Sequence, residues 1–344
     1  MPERMPAPGG RGRLFRTAVA CAVLLAVTAY VALRGLAGHN DAMCTVRATG
    51  GRDADSDTSG ASHDPDTTQT YELTPVQAAN AATIAAVGAQ RGVPERAVTI
   101  ALATAMQESQ LRNISHGDRD SVGLFQQRPS QGWGTVDEIQ DPVYSAGRFY
   151  ERLVKVPGYS RLPLTVAAQR VQRSGFPQAY AKHETNATLL TGALTGRQPA
   201  ALSCTTGARD LGEPGDPKQV RKRLVREFGR EVLADGSGAL TAGQARGRVA
   251  HTTAHTTART ADRTEAEPAV SLPAHGGRQG WELAHWAVAN AAGLHIERIS
   301  YGGLEWSAER SREGWRKAGT DDAKSGGTGR AGGGAVELRL ATGH

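Results

Sequence analysis

"VPERAVTIALATAMQES" (Val93 to Ser109) carries no charge between Ala97 and Met106 and only two hydroxyls there, Thr99 and Thr104. A helix with no polar face is one that a fold buries, so this stretch is expected to form an interior helix whose entry is marked by Pro94 and Glu95. Its last turn delivers Gln107 and Glu108. A single carboxylate at the inner end of such a helix needs a reason, because both partial burial and the negative end of the helix dipole oppose its ionisation.

Upstream, "LTPVQAANAATIAAVGAQRG" (73–92) has Thr74 as N-cap, Pro75 at the first helical position, Gln77 completing a capping box and Gly92 as the stop. Downstream, helices are expected at 141–154, 163–173 and 177–194, with "SVGLFQQ" (121–127) the one hint of extended structure. These elements make a mainly α-helical domain over 71–205. Residues 37–70 are acidic and aperiodic and read as a flexible tether, and 234–280 as a low-complexity linker. A helix over 217–233, with Val220, Leu224, Val225, Phe228 and Val232 on one stripe, falls in a connecting segment (206–233). That stripe fits packing on a small domain better than lying on a membrane surface. Residues 281–344 are read as a small α/β module: a helix, strands near 296–301 and 304–307, and a third near 335–341.

The formal charge is +6, but residues 1–34 hold five Arg and one Glu, leaving 35 basic against 33 acidic residues in the other 310. No nucleic-acid partner is expected from so small a remainder. The N-terminal excess instead flanks the apolar run at Thr17 to Leu33. Residues 14–36 are expected to be an uncleaved single-pass transmembrane anchor, with 1–13 cytoplasmic and everything after about residue 40 outside. In that oxidising exterior a Cys44–Cys204 disulfide is expected, which in the loop-entropy account is worth on the order of 4–5 kcal/mol. No cofactor or metal is expected. His251 and His255 are spaced like ligands but lie in a threonine-rich linker with no second pair.

Glu108-Ser109, a polar loop of about a dozen residues, and then Ser121-Val122-Gly123-Leu124-Phe125-Gln126 with Pro129 resemble the Glu-Ser and Gly-Leu-Met-Gln motifs of lysozyme-like lytic transglycosylases. These are relatives of goose-type lysozymes, and the likeness covers roughly 74–195. The layout, with an anchor in front and a small module behind, is similar to that of actinobacterial cell-wall proteins. The resemblance implies cleavage of the β-1,4 bond between N-acetylmuramic acid and N-acetylglucosamine in peptidoglycan, with Glu108 as the single acid and base. Substrate contacts are expected from Ser109, Gln126, Gln127, Trp133, Gln172 and Tyr180. Relatives often carry a Tyr-Asn pair where this chain has Gln172 and, further on, Tyr180. Trp133 could equally be a core plug. Hydrolysis by two carboxylates would need Asp118 or Asp120 as a partner, although Asp in "HGDRDS" commonly caps a turn. A non-catalytic peptidoglycan-binding protein that keeps the groove is the reading outside enzymology. The partner in each case is the glycan strand; the oligomeric state is left open.

Overall fold

In the computed structural model, residues 42–48, 69–176, 178–206, 212–234, 268–319 and 334–343 are described. The expected anchor at 14–36, most of the 37–70 tether and the His251/His255 pair lie outside them. Among the described residues no helix is long and apolar enough to cross a membrane, and no group of three or more His, Cys, Asp or Glu is placed to hold a metal ion.

The helical body follows the apolar pattern. Helix α1 (Pro75–Gln90) is capped by Thr74, whose hydroxyl accepts from the Gln77 amide while Gln77 Oε1 accepts from the Thr74 amide at 2.8 Å. Helix α2 (Glu95–Ser109) is buried continuously from Ala97 to Met106. Around it pack α1, α4 (Pro142–Leu153), α5 (Leu164–Gln172) and α6 (Glu184–Leu194), while the short α3 (Val136–Gln140) leads into α4. Phe125 and Phe149 stack at 4.7 Å between centroids beneath the 121–127 turn. That turn is not a strand: its extended character amounts to one bridge, Val122 to Gln127.

The expectation of a mainly α-helical fold is corrected. About 48% of the described residues are helical and 16% are in strands, arranged as two antiparallel sheets. The first, in order β2-β1-β3, consists of β1 (Cys44–Arg47), β2 (Thr70–Leu73) and β3 (Leu202–Cys204). Residues 44–47 and 70, within the interval read as tether, are thereby part of the fold. Cys44 faces Cys204 in the β1–β3 register, and the two form the disulfide. The second sheet, in order β4-β8-β5-β6-β7, begins at β4 (Ala269–Pro273), inside the stretch read as linker. It continues through β5 (Ile296–Tyr301), β6 (Leu304–Ser307), β7 (Arg316–Lys317) and β8 (Ala335–Leu340). Both central residues of the β5–β6 turn, Gly302 and Gly303, have positive φ (60° and 75°), the conformation a two-residue hairpin demands.

Helix α8 (Gly277–Ala289), followed by α9 (Ala291–Leu294), packs on β5 and β8 with one side and on α1, α6 and β3 with the other. Its His285 is fully buried: Nε2 accepts from the Ala201 amide at 3.1 Å, which leaves Nδ1–H to donate to the Ala193 carbonyl at 2.8 Å. Helix α7 (Pro217–Phe228) packs on α1, with Val220 and Leu224 buried. Its Glu227 is also buried, accepting from Thr83 Oγ1, Arg223 Nε and Trp286 Nε1 (3.1, 2.9 and 2.7 Å). A carboxylate supplied with that many donors can sit in an interior without prohibitive desolvation. The described residues belong to one compact unit.

Candidate active site around Glu108

Glu108 lies in the last turn of α2, and the chain leaves that turn through a strained corner. Gln110 (φ 56°) and Leu111 (φ 59°) are both left-handed although neither is glycine. Such a pair costs on the order of 1–3 kcal/mol per residue unless neighbours hold it. They do: Gln77 Nε2 donates to the Gln110 carbonyl and Asn80 Nδ2 to the Leu111 carbonyl, each at 2.8 Å, and Leu111 is buried. The corner turns the chain out of the core directly after Glu108 and Ser109.

Tyr180 closes the other side. Its hydroxyl donates to Glu108 Oε1 at 2.6 Å, and its ring is completely buried. The expected helix over 177–194 starts later, at Glu184, because Arg173 (φ 54°) ends α5 in a left-handed residue and the chain then turns to bring Tyr180 back to α2. Burial raises the Glu108 pKa above the usual carboxylate value; hydrogen bonds from Tyr180 and Gln172 pull in the opposite direction without overcoming it. Tyr180 itself is pushed well above the normal phenol range by burial and by the adjacent carboxylate. It therefore stays protonated and acts as the donor.

Of the remaining residues the sequence nominated, Gln172 belongs here: its amide donates to the Phe125 carbonyl at 2.7 Å and tunes Glu108. Ser109 is buried and hydrogen-bonds the Leu124 carbonyl at 2.7 Å, so it pins the 121–127 turn to α2 rather than facing a ligand. Gln127 is likewise interior, donating to the Ser145 carbonyl at 3.0 Å. Gln126 is half-buried, with left-handed φ (48°), and its side chain lies across Gly117, where a Cβ would fall 1.8 Å from Gln126 Oε1. Trp133 sits as the core-plug alternative describes: the ring is buried and one face is taken by the Arg152 guanidinium, 3.5 Å from its centroid.

The two acids named as possible second carboxylates have different surroundings. The Asp118 side chain is 92% exposed. Asp120 Oδ1 accepts from Arg128 Nε (2.7 Å) and Oδ2 from the Ser130 amide (2.8 Å), which hold it well below the ordinary carboxylate range. Sequence reasoning missed His183, whose Nε2 lies 3.1 Å from Gln107 Oε1 and whose pKa is lowered by burial and by Lys182. Its place in "AYAKHE", three residues after Tyr180, was the available signal.

No family matches. The chain is matched by no protein-family model and by no curated protein sequence.

Proposed function

We propose that this protein is a lytic transglycosylase of peptidoglycan in which Glu108 is both acid and base. The observation that carries the reading is the Tyr180–Glu108 pair: a carboxyl of raised pKa fixed by a phenol that cannot itself ionise at working pH. In the forward step protonated Glu108 gives its proton to the glycosidic oxygen as the bond from the muramoyl anomeric carbon breaks. The resulting carboxylate then takes the proton of the muramoyl 6-hydroxyl while that oxygen bonds to the same carbon. A 1,6-anhydro ring results, no water is consumed, and Glu108 ends as it began. Tyr180 stabilises the carboxylate that exists between the two transfers and keeps the carboxyl plane aligned.

A two-carboxylate hydrolase needs a free partner at ~5–9.5 Å. The double engagement of Asp120 argues against that assignment and favours the single-acid route. The test is digestion of purified peptidoglycan by the full-length chain, with mass analysis of the fragments. Anhydro-muropeptides that disappear in Glu108→Gln are expected. Reducing-end products would replace transglycosylation by hydrolysis, and glycan binding without any product would leave a non-catalytic groove.

A further inference from the structure

At the opposite end of α2, roughly 20 Å from Glu108 by helical rise, a cavity opens between the helical body and α8. It has a volume of about 400 Å³, with walls of Ala85, Ala89, Val93, Pro94 and Val98 and a polar end formed by Glu95, Thr195, Arg278 and Glu282. Gly196 seats α8 against this corner: a Cβ there would lie 1.8 Å from the Arg278 carbonyl oxygen, so the helix backbone touches the chain with no side chain between.

The polar groups are unequally satisfied. Glu95 accepts from Arg197 Nε at 3.1 Å and is also paired with Arg278, whose Nε donates to the Thr195 carbonyl at 3.0 Å. Glu282, one turn beyond Arg278 on α8 and half-buried, has no hydrogen bond and no ion pair among the described residues. Burial drives its carboxyl up to about 7, with Arg278 the one charge acting in the other direction. A carboxyl that lines a cavity beside aliphatic side chains, with no donor of the described residues engaging it, is open to a ligand that completes it. The complement is a hydrogen-bonding cation on a hydrocarbon stem.

We propose that this cavity binds an aliphatic primary ammonium, with Glu282 as its counter-ion and Ala85, Val93 and Val98 in contact with its methylenes. The chemistry is the same whether the amine is free or is a lysine-type side chain of a peptide. The groups facing Glu282 are Arg278 from its own helix, Glu95 from α2, with Arg197 beyond it, and the neutral Thr195 from the end of α6. The two arginines are held by Glu95, so Glu282 is the group left to accept the ligand.

Titration calorimetry on the full-length chain tests this with n-pentylamine, Nα-acetyl-lysine methylamide and n-pentanol. Saturable binding of n-pentylamine is expected, at least tenfold weaker in Glu282→Gln and blocked in Ala89→Trp, which fills the cavity from its exposed rim. Because the amine stays charged to about pH 10, affinity should rise about tenfold per pH unit from 5 toward 7 and then level off. Binding of the lysine derivative as well identifies a peptide side chain as ligand; binding of n-pentylamine alone identifies a free amine. Equal affinity in Glu282→Gln, equal affinity for n-pentanol, or no saturable binding of either amine overturns the proposal. Thermal melts of both variants separate loss of the site from loss of the fold.

Discussion

Ionisation of Glu108 is opposed by its surroundings, and that has a thermodynamic consequence apart from any chemistry it performs. A carboxyl whose folded pKa is raised stabilises the fold below its unfolded pKa and loses that contribution as pH rises through the folded value. At neutral pH, Glu108→Gln should therefore raise the melting temperature, while abolishing the glycan cleavage proposed for it. Melts at pH 7 alongside digestion assays check both halves. Tyr180→Phe removes a donor that favours the carboxylate, so the Glu108 pKa should climb further. The alkaline limb of the pH–rate profile should move to higher pH as the maximal rate falls, and an unmoved limb would sink the role given to Tyr180. At this scale Glu108 was legible because an uninterrupted apolar run ended on it. Trp133 was not, since whether an indole beside glycines faces solvent or an arginine depends on Arg152, nineteen residues away in the chain.

Helices were read from their own residues, and so were the strands at 296–301, 304–307 and 335–340; the short strands at 44–47, 70–73, 202–204, 269–273 and 316–317 were not. The capping box Thr74–Gln77 and the apolar run of α2 are local patterns, and the structure keeps both. Strand β1 is four residues of "CTVR" whose partners lie at Thr70–Leu73 and Leu202–Cys204, so nothing within its own window distinguishes it from linker. Only the expected pairing of Cys44 with Cys204 carried information across that distance. The corner after α2 shows the same dependence: Gln110 and Leu111 hold left-handed conformations through side chains supplied by α1. Asn80→Ala leaves the Leu111 carbonyl without its donor and should cost about 1–2 kcal/mol in a urea melt. Turnover should fall more than that loss of folded protein explains, because Glu108 sits three residues before Leu111.

For the molecule as a whole, α8 is the shared layer, and its hold on the helical body runs through a histidine. Burial depresses His285 to about 4, so the neutral ring is the folded form. A base with a lowered folded pKa contributes stability above its unfolded pKa of ~6.5 and loses it as pH falls toward 4. Melting temperature should drop across that window, with the Ala193 and Ala201 contacts failing early, and His285→Gln should flatten the dependence. Amide exchange at Ala201 would report the step. The seam was hidden from the sequence because "ELAHWAV" states only that a helix is apolar, not that it is apolar toward two neighbours at once. The Cys44–Cys204 bond has a mechanical meaning of its own. Tension entering at residue 42 passes through the disulfide to β3, so the 160-residue interval carrying Glu108 lies outside the loaded path. Stretched between its termini in the oxidised state, the chain should fall short of its full contour by roughly 500–580 Å, and reduction should restore that length. The interval that carries Glu108 would thus bear no direct load while the rest of the chain is extended.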